Sequence, residues 1–325
     1  MKHLFIFTIS LALALCLYIT TVNALTISPP LIEIDANPGE VVKKTIKIIT
    51  DANTQGIYYP SVANFTARGE EGEPRFLEQS EQEEVKSYAL ADWIEIDQSP
   101  VGLKKNEKAE VSFTVKVPDN AEPGGHYGVI FFSTQPPTFE QGQTAIGVVG
   151  KLGSLILVRV AGDIKEQGNL LEFGASNTIY NRLPIEFTTR FGNTGNVHLK
   201  PQGEIKIFNI FGKTVAKISV NEKAGNVLPE SIRKFKSTWE KKESISAKGK
   251  GFFAELKNEK NNFAFGKYKA ELVLVGFKGG VKNIWVFPWR ILLASIIILA
   301  FVVFVLRLLV KGYNKKIIRK YSGKS

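Results

Sequence analysis

Residues 111–117 read VSFTVKV, and this stretch decides the fold because apolar and polar side chains alternate along its whole length. A period of two places one set of side chains on a buried face and the other toward solvent, as in an antiparallel strand. The same alternation occurs at 45–48 (TIKI), 204–207 (EIKI) and 268–274 (YKAELVL). Turn-forming Gly, Pro and Asn residues separate these stretches at short intervals. The pattern predicts an all-β chain of immunoglobulin-like sandwiches.

The predicted strands divide into two tandem domains. The first is predicted to span residues 25–162 and to end with the apolar strand SLILVRV at 154–160. The second is predicted to span residues 163–287 as another immunoglobulin-like sandwich. Residues 78–90 suit a short helix and a solvated loop equally well. Outside the C-terminal apolar stretch, no other segment has a convincing amphipathic helical pattern.

A long apolar stretch, ILLASIIILAFVVFVL at 291–306, contains no charged residue. With its apolar neighbours it reaches the roughly 20 residues that a helix needs to cross a bilayer. Trp285 and Trp289 stand at one edge, where amphipathic rings favour the headgroup region. We predict a transmembrane helix at 288–310 with the lipid bilayer as its partner; the alternative is a buried core helix. The basic tail, 311–325, is predicted to be cytoplasmic, which places the N-terminal bulk outside the cell membrane.

The N-terminus has the pattern of a secretory leader. Lys2 precedes an apolar core at 4–18, and VNA at 22–24 is a small-residue cleavage site. Residues 1–24 are therefore predicted to be a signal peptide. The single cysteine, Cys16, lies in this leader. A mature chain without cysteine excludes disulfides and thiolate metal sites, and an exported protein without disulfides fits a bacterial surface.

The charge distribution argues against nucleic acid as a partner. The formal net charge is +11, but nine of the 42 basic residues are Lys2 and the eight cations that follow Phe287. The region between them holds the other 33 basic residues and all 31 acidic ones, so it is close to neutral. The excess of positive charge therefore indicates membrane topology and attraction to anionic inner-leaflet lipids.

The sequence offers few groups with catalytic potential. Two histidines remain in the predicted mature chain, His126 and His198, and the predicted boundary places them in different domains. No metalloprotease, hydrolase or nucleotide-binding motif is present. Glu70, Glu71 and Glu73 could supply oxygen ligands to calcium, but a solvated charge run is the simpler interpretation. We predict no catalytic residue, no metal site and no cofactor, and hence no enzymatic activity.

Three blocks of the first domain carry a resemblance to a known family. They are LTISPPLIEIDANPGEVVKKTIKI at 25–48, WIEIDQSPVGLKKNEKAEVSFTVKVPDNAEPGGHYGVIFF at 93–132 and GVVGKLGSLILVRVAGD at 147–163. Their order resembles the DUF916-type domain of WxL-interacting proteins, which are found on bacterial surfaces. The layout of leader, two sandwiches, one membrane helix and a short basic tail is also similar. The second domain shares this layout only.

The resemblance implies a binding function. The DUF916-type domain implies recognition of peptidoglycan, and the second domain implies contacts with surface proteins. If a glycan surface exists, exposed aromatics of the first domain would form it, since sugar faces stack on rings; the alternative for each is core packing. The candidates are Tyr58, Tyr59, Trp93 and Tyr127.

We therefore predict a membrane-anchored bacterial cell-surface binding or scaffold protein. Its expected partners are cell-wall glycan or surface proteins. One alternative is an envelope chaperone or secretion accessory that holds a client strand, which requires an exposed apolar edge strand, expected at 154–160. Another is an enzyme acting on wall polymers, which requires two carboxylates about 5–10 Å apart in a cleft.

Overall fold

The computed structural model describes four stretches of the chain, with side chains described as far as residue 315 in the last helix. These stretches are 25–77, 87–136, 150–241 and 251–322. The predicted leader at 1–24, the last three residues of the predicted tail and most of the segment 78–90 lie outside them.

Contacts between backbone segments divide the chain into two compact units. Unit 1 contains the described residues up to Arg68, together with Glu73–Glu166 and Gly195–His198. Unit 2 contains Gly69–Gly72, Gln167–Thr194 and the described residues from Leu199 onward.

Unit 1 is built from two β-sheets. Its described strands are β1 (Leu25–Ser28), β2 (Leu31–Ala36), β3 (Val41–Thr50), β4 (Gly56–Arg68), β5 (Glu73–Phe76), β6 (Ile94–Ile96), β7 (Val101–Leu103), β8 (Lys108–Lys116), β9 (Gly124–Ser133) and β10 (Lys151–Val160). The four-stranded sheet has the order β1–β3–β8–β6. The six-stranded sheet has the order β2–β10–β9–β4–β5, with β7 paired to β4. Neighbouring strands are antiparallel, except that β2 and β10 are parallel.

The two sheets of unit 1 enclose an apolar core between them. Ile46 and Ile48 on β3 are buried in this core with Phe113 and Val115 on β8. The six-stranded sheet contributes Phe132 and other apolar residues from the opposite side. The alternation at 111–117 therefore separates core residues from solvent-facing ones, as predicted.

Strand β9 departs from this alternation because all ten of its residues are buried. Ile130 and Phe132 point into the core, so Val129 and Phe131 point to the other side of the sheet. A continuous apolar run such as VIFF is typical of a strand covered on both faces. The six-stranded sheet thus has a second apolar side, which we define as its outer face.

The described residues of unit 2 form two further sheets and two helices. Its described strands are β11 (Gly168–Ala175), β12 (Ile179–Tyr180), β13 (Ile185–Asn193), β14 (Gly203–Phe208), β15 (Thr214–Val220), β16 (Ile232–Trp239), β17 (Gly266–Leu274) and β18 (Phe277–Val286). The helices are α1 (Phe252–Asn261) and α2 (Trp289–Ser322). One sheet has the order β11–β13–β16 and the other β12–β18–β17–β14–β15.

The core of unit 2 follows the predicted alternation. Ile205 and Ile207 on β14 are buried, while the intervening Lys206 lies on the other side of the strand. Trp239 at the end of β16 packs edge-on against Tyr268 of β17, with ring centroids 4.9 Å apart. Aromatic pairs in this orientation add to the stabilisation from buried area.

The helices confirm one prediction and contradict another. The helix predicted at 288–310 is present and runs from Trp289 to Ser322; its segment Trp289–Lys315 is long and apolar enough to cross a membrane. Helix α1 was not predicted, because its sequence lacks an apolar face directed toward the core. The predicted fold class, all-β with immunoglobulin-like sandwiches and one C-terminal apolar helix, is confirmed.

Candidate functional site

The four aromatic residues named as glycan candidates do not form one exposed surface. Tyr58 and Tyr127 are each only 2% exposed, so the expectation that they are exposed is wrong. Tyr58 of β4 enters the core, and Tyr127 of β9 packs against Phe65 with centroids 6.0 Å apart. Trp93 is partly buried against the core. Tyr59 is partly buried and points to the outer face, opposite to Tyr58.

His126 is buried near the start of β9, and both of its ring nitrogens lie close to backbone carbonyl oxygens. Its Nε2 atom lies 2.9 Å from the carbonyl oxygen of Glu122, and its Nδ1 atom lies 3.2 Å from that of Ala89. The ring stacks at a tilt on Trp93, with centroids 4.2 Å apart. Burial lowers the pKa of His126, although the two carbonyl oxygens favour the protonated ring. The neutral ring carries one N–H and can donate to only one of these two oxygens, so it bonds either the Glu122 or the Ala89 carbonyl.

His198 lies close to the same strand, which the predicted domain boundary did not anticipate. The segment Gly195–His198 belongs to unit 1, and the Nδ1 atom of His198 lies 3.4 Å from the hydroxyl of Tyr127. Burial raises the pKa of Tyr127, so the hydroxyl stays protonated at neutral pH. The two residues are 71 positions apart, and no spacing rule could have joined them. The hydroxyl of Tyr127 and the ring nitrogen of His198 thus make a polar contact among aromatic rings.

A partly exposed group of rings lies on the outer face. Phe76, exposed on edge strand β5, packs edge-on against Phe131 with centroids 4.7 Å apart. The ammonium of Lys151 lies 6.0 Å from the centre of the Phe131 ring. The register places Ser133 opposite both Lys151 and Tyr59. Directly opposed residues point to the same face of a sheet, so Tyr59 and Lys151 point to the outer face with Ser133. We define Tyr59, Phe76, Phe131 and Lys151 as the outer-face cluster.

Sequence reasoning found one member of this cluster and missed the others. Phe131 is part of the continuous apolar run of β9, which does not show which residues point outward. Phe76 ends a four-residue strand, EPRF, that is too short for a clear alternation. The signal that could have identified Phe76 is an isolated aromatic residue in an otherwise charged hairpin.

The strand predicted to be an exposed edge is internal. Residues 154–160 belong to β10, which pairs along one side with β9 and along the other with β2. Val158, for example, lies opposite both His126 and Ile34. The prediction of an edge at this position is therefore wrong, because β2 comes from the beginning of the chain to pair with the free side of β10.

The acidic loop after β4 is neutralised by basic side chains. Glu70 accepts hydrogen bonds from Nε of Arg190, at 2.7 Å, and from its Nη2, and these bonds lower the pKa of Glu70. Glu71 pairs with Lys234 at 2.6 Å. Within the described residues, no three His, Cys, Asp or Glu side chains lie together as a metal site would require.

One described pocket of unit 1 bears on the enzymatic alternative. It lies where β2 and β10 end and contains a single lining carboxylate, that of Asp35. The neighbouring Arg159 pairs with Glu166 at 2.6 Å. A glycosidase needs two carboxylates across the scissile bond, which the lining of this pocket does not provide. The absence of enzymatic activity stays a prediction.

The beginning of α2 is fixed by a buried carboxylate that sequence reasoning missed. Glu259 of α1, whose side chain is 0% exposed, pairs with Nη1 of Arg290 at 2.8 Å. Its second oxygen accepts the backbone N–H groups of Arg290, at 3.1 Å, and Ile291, at 3.2 Å. The first N–H groups of a helix have no partner within the helix and favour negative charge. Glu259 therefore acts as the N-terminal cap of the apolar helix.

Comparison with known proteins found matches among solved structures only. No protein-family model matches the chain, and no curated protein matches it. The class 5 fimbriae chaperone CfaA is 14% identical, with 80% of this chain and 99% of that chain covered and a TM-score of 0.34. The Escherichia coli chaperone DraB is 13% identical (81% and 97% covered, TM-score 0.32). The Pseudomonas aeruginosa CupB2 chaperone is 10% identical (80% and 100% covered, TM-score 0.34). At these low values the matches carry no argument about function.

Proposed function

We propose that this chain is a single-pass bacterial envelope protein, without enzymatic activity, that binds cell-wall glycan through its first sandwich. The observation that carries the membrane part of the proposal is the apolar segment Trp289–Lys315, whose most apolar window has no residue buried against protein. Such a surface is stable in lipid and costly in water. Lys311 and Lys315 follow the apolar part, which favours a cytoplasmic C-terminus.

The outer-face cluster is the surface that we propose for glycan binding. Phe76 and Tyr59 offer ring faces on which sugar rings can stack. Lys151 adds a cation that suits the carboxylates of peptidoglycan stem peptides. The resemblance of the first domain to DUF916-type domains agrees with this ligand. A WxL-type surface protein is the other partner that the resemblance implies.

The membrane part of the proposal is tested on the full chain in bacterial cells. Alkaline carbonate should leave the protein in the membrane pellet, since extraction removes peripheral proteins only. Protease added outside should remove both sandwiches and leave a short fragment containing the basic tail. Release by carbonate, or protection of the sandwiches once the envelope is permeable to protease, would contradict anchoring in this orientation.

The glycan part is tested with the full chain in lipid nanodiscs and purified peptidoglycan sacculi. The double variant Y59A/F76A should reduce binding about tenfold or more, as loss of central aromatic contacts usually does. The matched control is V41A, which truncates an exposed apolar residue of the four-stranded sheet. Binding that is equal in all three proteins would exclude the outer-face cluster. Binding of the unsubstituted chain to neither sacculi nor a WxL-type surface protein would reject the proposed function.

The chaperone alternative lacks the edge strand expected for it. Strand β10 is paired on both sides, so its backbone has no free edge to offer a client. The outer-face cluster provides a side-chain surface in its place, which is why we favour ligand stacking over strand addition.

A further inference from the structure

Unit 2 has a group of exposed aromatic residues around the start of α2. Phe252 and Phe253 open α1, Phe265 precedes β17, and Phe287 and Trp289 connect β18 to α2. The rings of Phe252 and Trp289 have centroids 6.3 Å apart, and so do those of Phe265 and Phe287. The patch is therefore continuous with the apolar helix itself.

The strand register brings one more exposed ring to the same end of the sheet. Gly266 lies opposite Val286, the last residue before the connection to α2, and Lys269 lies opposite Phe208. Strand β14 runs antiparallel to β17, so the chain after Phe208 continues toward Gly266. At about 3.3 Å per residue, the β14–β15 turn reaches the level of Gly266 two to three residues after Phe208. Phe211 at this turn is 84% exposed.

The turn that carries Phe211 is built to hold its backbone in place. The Asn209 Oδ1 atom accepts the N–H groups of Phe211 and Lys213, both at 3.0 Å. A side chain that bonds its own loop in this way defines the turn conformation. Phe211 is therefore presented outward by an ordered hairpin, at the end of the sheet where the other exposed rings lie.

Helix α1 buries two polar residues and exposes an aromatic one. Its buried residues are Asn258 and Glu259, whereas Phe253 is 81% exposed. The usual arrangement places apolar residues inward and polar residues outward. Because Glu259 holds the first turn of α2, the exposed rings of α1 lie beside the position at which the apolar helix begins.

We propose that these rings, defined as the aromatic rim (Phe211, Phe252, Phe253, Phe265, Phe287 and Trp289), insert into the headgroup region of the bilayer that α2 crosses. The inference rests on the proposed membrane anchoring. Aromatic rings are favoured at that depth, where one side is apolar and the other wet. Lys213 and Lys267, exposed at the same end of the sheet, can reach lipid phosphates. Unit 2 thus rests on the membrane surface instead of standing clear of it.

Spin labels on the full chain test this proposal. Single cysteines are introduced in a C16S background at F211C and F253C, and the protein is reconstituted into phosphatidylcholine–phosphatidylglycerol vesicles. The matched control is V275C, 75% exposed at the β17–β18 turn, the opposite end of the sheet. I298C in the middle of α2 reports on anchoring. Power saturation then compares accessibility to oxygen, which partitions into lipid, with accessibility to a water-soluble nickel chelate.

We expect the oxygen-to-nickel ratio at F211C and F253C to exceed that at V275C by about threefold or more, as at an interfacial depth. If I298C lies in lipid while F211C and F253C match V275C, the rim does not dock and the anchoring stands. If F211C and F253C are shielded from both reagents, a protein and not lipid covers the rim, which also rejects the proposal. If I298C is accessible to the nickel chelate, the anchoring itself fails.

Discussion

Replacing Glu259 by glutamine should loosen the start of α2. The substitution keeps the shape of the side chain but removes the charge that pairs with Arg290, whose side chain is only 19% exposed. Removing one partner of a buried ion pair costs about 3–5 kcal/mol. Because Arg290 keeps some contact with solvent and the glutamine oxygen can still accept a hydrogen bond, we expect about 2–3 kcal/mol.

Hydrogen exchange measured by mass spectrometry on the full chain in detergent micelles provides the assay. The N–H groups of Arg290 and Ile291 are both bonded to Glu259, so their exchange reports this cap directly. A loss of 2–3 kcal/mol in local opening energy corresponds to exchange about 30- to 150-fold faster. The matched control is E271Q, which removes an exposed pair with Lys269 and should change exchange at α2 by little. Equal exchange in E259Q and the unsubstituted chain would refute the capping role.

Three further outcomes are expected in the full chain. In E259Q/R290Q the loss should be smaller than the sum of the two single losses, as double-mutant thermodynamics would show, since neither charge is then left unpaired. G203A should lower the free energy of unfolding by about 1–3 kcal/mol in a denaturant titration, because its Cβ would lie 2.1 Å from the carbonyl oxygen of Val273. G174A, which meets nothing within 4 Å, is its control and should be near neutral.

The buried histidine makes stability depend on pH. Burial lowers the pKa of His126, so the unfolded chain, with a histidine pKa near the usual value of about 6.5, binds the proton more readily than the folded one. The contribution of His126 is therefore complete above about pH 6.5 and is lost as the pH falls through its folded pKa. H126Q should reduce the slope of unfolding free energy against pH between about 5 and 7. An unchanged slope would show that His126 binds protons equally in the folded and the unfolded chain over this range.

The sequence alone predicts those features of the fold that depend on a single local rule. Alternation placed Ile205 and Ile207 on the buried side of β14, since a strand has two faces and this one has a core on one of them. Length and hydropathy located the apolar helix, predicted from residue 288 and observed from Trp289. Both results depend on local pattern only, and neither requires knowledge of which strands are neighbours.

Pairing between distant strands is the information that local pattern lacks. The apolar run 154–160 is compatible with an exposed edge and with a strand enclosed by neighbours. Its position is decided by β2, some 120 residues earlier, which runs parallel to β10. The same limit applies to Tyr127, which is buried because Phe65 and His198 are brought against it from remote parts of the chain.

Helix α1 was missed for a different reason, and that reason supports the membrane interpretation. A search for amphipathic helices assumes that apolar residues face protein and polar residues face water. Two positions of FFAELKNEKN depart from this rule: Glu259 is buried because it caps the first turn of α2, and Phe253 is exposed. Exposed phenylalanine is unfavourable beside water and favourable beside lipid. Exposed phenylalanine residues on a helix that caps an apolar span therefore favour a position of that helix at the membrane surface.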